Sequence, residues 1–205
     1  MAFKKPKFLV WLDAETTGLS FREDDMLELG AIITTMELQE LSTFERVVQI
    51  TPAGVQRLKE NEYVLKMHQT SGLLDDIRAG KGLPLAQVEE EFTSWLGNGS
   101  VQPGEYLMAG SGILHFDRRL LEEKMPTVDE WFAYYALDMG VNRRVLDILL
   151  ERNDAVPKLE KSYKEGAKAH RALADARAHL DEARLIKQWL SDTLESAWKY
   201  DDLQK

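Results

Sequence analysis

The chain contains no cysteine, so disulfide bridges and thiolate metal centres are excluded. Long apolar runs are missing as well: none approaches the roughly 20 residues of a membrane helix. The basic start through Lys7 has no apolar h-region behind it, because charges return as early as Asp13. A secretory leader and membrane association are therefore not expected, and a cytoplasmic protein is. Positive charge is in short supply: 26 Lys and Arg stand against 35 Asp and Glu, a net charge of −9. That balance argues against a protein gripping long duplexes through many phosphate contacts. It leaves room for an enzyme acting on short strands, because metal-binding carboxylates reverse their local field once an ion is bound.

Repeats, low-complexity tracts and breaks in composition are also absent. With 205 residues, 44% of them hydrophobic and 30% charged, an ordinary globular chain is expected. It reads as one domain over 1–205, with 1–6 a basic tail and 190–205 the end of a last helix and its tail.

What is present begins with five consecutive apolar residues, Phe8 to Leu12, which predict a short strand buried on both faces. Met26 to Thr34 and Ser42 to Ile50 predict two more, joined by the polar link Glu37 to Glu40. Helical signals follow over Glu62–Gln69 and Leu73–Ala79. From Pro84, apolar residues recur at helical spacing (Leu85, Val88, Phe92, Trp95, Leu96), and the Glu89–Glu91 run reads as a solvated face. Tyr106–Ala109 predicts a fourth strand, His115–Met125 a helix, and aromatic-rich Trp131–Leu137 leads to a short fifth strand near Asp138. Asn142–Arg152 predicts a helix with Val145, Ile148 and Leu149 inward, and Asn153–Ala169 is irregular. A long final helix is predicted from about His170 to Tyr200, with a stripe of Leu173, Ala176, Leu180, Ala183, Ile186, Leu190 and Leu194. Three strands followed by alternating helices and strands predict an α/β fold with a mixed sheet, its first three strands antiparallel.

Four acids and a histidine stand out. Asp13 and Glu15 are two apart on an extended chain, so they point to one face. At about 4 Å and an effective dielectric of about 20, two such charges repel by roughly 4 kcal/mol. A bound divalent metal is a natural reason to hold them together. In so acidic a chain, a chance pair of solvated strand-end acids is the plain alternative. Asp117 opens a helix after the Gly110-Ser111-Gly112 turn. Asp175 lies in the first turns of the last helix, five residues after His170. Five residues on a continuous helix are about 140° apart, so His170 is expected at or before the helix start. Singly, each has a plain reading as a cap, a dipole partner or a surface residue. The specificity lies in their order.

That ordered set resembles the DEDDh 3′–5′ exonucleases, whose fold is ribonuclease H-like, over roughly Lys7 to Trp189. The oligoribonuclease branch is the nearest resemblance: His68-Gln-Thr-Ser71-Gly72-Leu73, Asp117-Arg118-Arg119-Leu120-Leu121 and Tyr163-Lys164-Glu165-Gly166 are similar to its motifs. The resemblance implies Asp13, Glu15, Asp117 and Asp175 as metal-binding carboxylates and His170 as general base. Two Mg²⁺ or Mn²⁺ ions would serve hydrolysis of short oligoribonucleotides to 5′-mononucleotides, with activity highest above pH 7, where His170 is neutral. It further implies Thr16, Gly18, Leu19, Tyr63, His68 and Ser71 as substrate-binding residues, with Leu19 wedging between bases and Tyr63 stacking. A homodimer is implied around Trp131, Phe132, Tyr134 and Tyr135.

Glu15-Thr16-Thr17-Gly18 and His115-Phe116-Asp117 are more similar to proofreading exonucleases. The branch's Arg, Ser and Thr that cap a 5′ phosphate are here Tyr135, Gly140 and Val141. A single-stranded DNA exonuclease, or a non-catalytic nucleic-acid adaptor, is the alternative expectation.

Overall fold

Residues 5–99, 101–151 and 170–202 are described by a computed structural model. The strands are β1 (Phe8–Thr16), β2 (Met26–Thr35), β3 (Glu40–Val47), β4 (Tyr106–Gly110) and β5 (Phe132–Asp138). They form one mixed sheet in the order β3-β2-β1-β4-β5. The β1–β2 and β2–β3 pairs are antiparallel, and β1–β4 and β4–β5 are parallel, as expected. The helices are α1 (Pro52–Glu60), α2 (Glu62–Ser71), α3 (Leu73–Arg78), α4 (Leu85–Leu96), α5 (Asp117–Lys124), α6 (Met139–Leu149) and α7 (Ala172–Asp202). Among the described residues no helix is long and apolar enough to cross a membrane.

Strand β1 is covered on both faces. Val10 and Leu12 pack with Val88, Phe92 and Leu96 of α4 and with Leu120 and Leu121 of α5. Leu9 and Trp11 pack against Ala176, Leu180, Ala183 and Ile186 of α7. Each fully buried large side chain adds roughly 1.5–3 kcal/mol, so the middle of the sheet is the most firmly held part of the fold.

The structure departs from expectation at several edges. Strand β1 continues past Leu12 because its antiparallel pairing with β2 runs on to Glu15↔Glu28. Strand β3 begins and ends before the predicted Ser42–Ile50, and Val48 bridges Leu83 instead. Helix α1 had no apolar stripe to announce it; its start is set by Thr51, whose hydroxyl accepts the Gly54 N–H at 3.0 Å, with Pro52 in the first turn. The aromatic run is itself β5, and its pairing with β4 shifts register between Phe132 and Ala136, which breaks the strand's two-residue alternation: Phe132 is buried, yet Tyr134, two residues on, stands 81% exposed. Helix α6 starts at Met139, capped by Asp138, and packs through Met139 and Leu146. Val145, Ile148 and Leu149 consequently face outward, against expectation. Leu190 and Leu194 of α7 are exposed too, because the burial of this helix against the sheet ends near Ile186. Tyr163, Lys164, Gly166 and the predicted irregular stretch 153–169 lie outside the described residues.

Helix α7 approaches β2 very closely. A Cβ built on Gly30 would lie 2.1 Å from the Leu173 nitrogen and 2.3 Å from the Ala172 carbonyl carbon. Gly30→Ala must therefore push the helix off the sheet, and the expected loss in chemical denaturation is about 3 kcal/mol or more. A loss under about 0.5 kcal/mol would show that the docking is not tight there.

Candidate active site

The alternation that aims Leu9 and Trp11 at α7 carries on along β1, so Asp13 and Glu15 emerge on the same face. Asp117 is the first residue of α5 and is buried; its carboxylate accepts its own amide N–H and that of Ala14. Asp175 sits in the first turn of α7. His170 precedes the helix with φ at 59°, in the left-handed region. That conformation costs a non-glycine residue roughly 1–2 kcal/mol, but it turns the imidazole back toward the sheet. Ligand atoms of Glu15, His170 and Asp175 all lie within 4.8 Å of one another.

The start of α7 is tied down from two other elements. Glu28, fully buried on β2 opposite Glu15, accepts the Ala172 N–H at 2.8 Å. It also accepts from Arg171 Nε at 2.9 and 3.1 Å. Arg171 Nη1 reaches Asp76 of α3 at 3.0 Å. Removing one partner of such a buried pair costs about 3–5 kcal/mol. None of these residues was expected from sequence to have a role. Glu28 signals itself only as the one charged residue in a ten-residue apolar strand. His179, one turn beyond Asp175, was also unforeseen; its Nε2 lies 3.9 Å from Asp13 Oδ1.

Burial and mutual repulsion dominate the electrostatics. Burial pushes the Asp13 carboxyl well above its usual range, and Asp117, Glu15 and Asp175 add to the effect. Burial, then Asp175 and Glu28, raise Glu15 to about 8. Asp117 rises to about 7, chiefly through burial, despite its two amide donors. Packed oxygen donors of this kind are what hard divalent cations such as Mg²⁺ and Mn²⁺ bind. The residues present thus suit a divalent metal, which would supply the charge the cluster lacks.

Among the expected substrate-binding residues, Leu19 is 87% and Tyr63 75% exposed, on the turn after β1 and on α2. Thr16 and Gly18 shape that turn: the Thr16 hydroxyl donates to the Gly18 carbonyl at 2.6 Å. A side chain at Gly18 would strike the Asp24 carboxylate, which accepts from Thr17 Oγ1 and from the Ser20 amide. His68 and Ser71 differ from expectation in being buried within the protein. His68 Nε2 donates to the Thr16 carbonyl at 2.9 Å, and the Ser71 hydroxyl donates to the His68 carbonyl. Burial lowers the His68 pKa, which keeps the ring neutral and its other nitrogen bare, 3.9 Å from Glu15. In this conformation His68 braces the end of β1 from behind, and Ser71 links the end of α2 to the start of α3 by also accepting the Leu73 amide.

Comparison with known proteins accords with this geometry. The family model described as Exonuclease (RNase_T) matches residues 10–183. The oligoribonuclease of Streptomyces avermitilis is 30% identical over 180 residues, 88% of this chain and 85% of that protein. The oligoribonuclease of Rhodococcus jostii is 30% identical over 181 residues, covering 88% and 86%. Among solved structures, exonuclease I from Methylocaldum szegediense superposes with a TM-score of 0.63 at 21% identity, over 89% of this chain and 40% of that one. The zinc-bound complex of E. coli exonuclease I with single-stranded DNA gives 0.64 at 16% identity, over 95% and 43%. The chain thus spans less than half the length of these structural neighbours, and the likeness is one of ribonuclease H-like fold.

The raised carboxyls make a signed prediction. In the unfolded chain these groups titrate near roughly 4, so between there and about 8 the native state binds more protons. The metal-free protein should therefore lose stability as pH rises from about 5 to about 8. Mg²⁺ or Mn²⁺ displaces those protons, so the increase in melting temperature it produces should be larger at pH 8 than at pH 5. An increment independent of pH would show that the cluster does not bind the ion.

Proposed function

Because the chain belongs to this exonuclease family and is a 3′–5′ exonuclease, we propose that it shortens single-stranded oligoribonucleotides from the 3′ end, releasing 5′-mononucleotides. The observation that carries this reading is the convergence of Glu15, His170 and Asp175 within 4.8 Å beside Asp13 and Asp117. Asp13, Glu15, Asp117 and Asp175 would hold two divalent ions, which when bound activate water and neutralise charge on the phosphate and the leaving oxygen. His170, exposed at the edge of the cluster, takes the proton of the attacking water on a ring nitrogen. Leu19 separates the terminal bases and Tyr63 stacks on one of them, contacts that tolerate any sequence. The Thr16–Gly18 turn presents Leu19 to the strand.

Substrate length follows from what lies beyond the cluster. Tyr135, Gly140 and Val141 offer no cation, and Gly140 and Val141 offer no side-chain donor. A 5′ phosphate two nucleotides away thus finds no clamp there, which favours strands longer than a dinucleotide. The same residues favour single-stranded DNA as a second substrate class, since nothing in them selects a 2′-OH.

Hydrolysis of labelled RNA and DNA pentamers with Mn²⁺ tests both readings. Asp117→Ala should abolish activity and His170→Ala should slow it about 10²- to 10⁴-fold. Full activity in either variant removes the site assignment, and a DNA-only loss replaces the RNA reading with the DNA one.

The active form is proposed to be a homodimer. Tyr134, Val141, Val145 and Ile148 are exposed on β5 and α6, and an apolar groove of about 500 Å³ opens beside them between α6 and α7. Sedimentation should give twice the chain mass, and Ile148→Asp should shift it toward monomer. A monomeric wild type would refute the dimer.

A further inference from the structure

We infer that Arg171 is the positioning residue for His170, acting with Glu28 and Asp76 as a clamp on the backbone turn that carries the imidazole. The inference rests on the active-site reading above.

His170 has two demands on it. It sits outside the helix that carries Asp175, in a left-handed conformation, and it is exposed. A solvent-facing ring on a backbone outlier needs something else to fix its direction. The following residue is where the restraint lies. The Arg171 guanidinium meets Glu28 with its Nε edge, at 2.9 and 3.1 Å, and Asp76 with Nη1, at 3.0 Å. Asp76 is itself held by Lys81 at 2.7 Å. One residue further on, the Ala172 N–H also ends on Glu28, at 2.8 Å. Two successive residues are thus pinned to one buried carboxylate, and that carboxylate is the register partner of Glu15. Because β2 and β1 are hydrogen-bonded there, the clamp fixes His170 relative to the carboxylate it must approach.

Stability alone is a poor reason for this arrangement. A buried ion pair repays its desolvation only with excellent geometry, and a packed apolar pair often holds an element as well. A planar fork with partners in two directions supplies orientation. Lysine, a point charge on a flexible stem, can keep the charge at Glu28 without holding both directions. A displacement of about 1 Å at a reacting group is enough to lower a rate by about 10²-fold.

The test is a double-substitution cycle on the full chain, with kcat and KM measured on an RNA pentamer and Mn²⁺. Arg171→Lys should lower kcat about 5- to 50-fold with KM within about twofold. In a His170→Ala background the same change should alter kcat by less than about twofold, since nothing is left to position. Asp76→Asn, at a partly exposed residue, should show the same dependence on background with a smaller loss. In the metal-free protein, Arg171→Lys should also shift the ring-proton NMR signals of His170 while leaving those of exposed His115 in place. Equal losses in both backgrounds, or no loss in either, would overturn the inference. Undiminished activity of His170→Ala alone would instead overturn the active-site reading, and the inference with it.

Discussion

One buried carboxylate decides where the last helix begins. Glu28 takes the guanidinium of Arg171 and the amide of Ala172 together, and two residues along the same strand Gly30 leaves room for the helix backbone. An amide at a helix start lacks an intrahelical acceptor, and here a distant strand provides it. Because the helix is docked at its first turn, Asp175 faces β1 and His170 is left just outside, free to bend back. The convergence of Glu15, His170 and Asp175 depends on this contact more than on any property of the acids themselves.

The cluster is costly in isolation. Asp13, Glu15 and Asp117 all hold protons above the usual carboxylate range, because they are buried and crowded together. The chain tolerates this at the edge of its most firmly packed strand, where Trp11 and Leu12 are almost wholly buried. His68 contributes from below, donating to the Thr16 carbonyl and tying the end of β1 to α2. Rigid support beneath crowded carboxyls would suit a divalent cation, which would meet ligands that are already gathered.

Around the cluster, motif residues divide between chemistry and framework. In Asp117-Arg118-Arg119 the acid points to the site. Arg118 turns away to pair with Asp129 at 2.9 Å and to donate to the Ala133 and Tyr134 carbonyls. It thereby holds β5 beside the helix that carries Asp117. Arg119 lies over the ring of Phe21, 5.0 Å from its centroid, on the loop that follows exposed Leu19. At the far end of β5, Asp138 caps α6 and accepts the Gly112 amide, closing the glycine turn that precedes Asp117.

The strand run at Phe8–Leu12 pointed to a buried central strand, the order of four acids and one histidine carried the resemblance to the exonucleases, and the absence of cysteine excluded thiolate ligands. Those features are local, or depend only on order along the chain, so they can be read without knowing what touches what. The direction of His170 relative to Asp175 was readable in part, because helix periodicity forbids a continuous helix through both. Helix α1, the outward faces of Val145, Ile148 and Leu194, the burial of His68 and Ser71, and the joint hold of Glu28 and Asp76 on Arg171 were not legible. Each is settled by which surface another element covers, and Glu28 and Arg171 are 143 residues apart in the chain. Charge opposite charge at that separation has no signature in either neighbourhood; only the folded sheet brings them together.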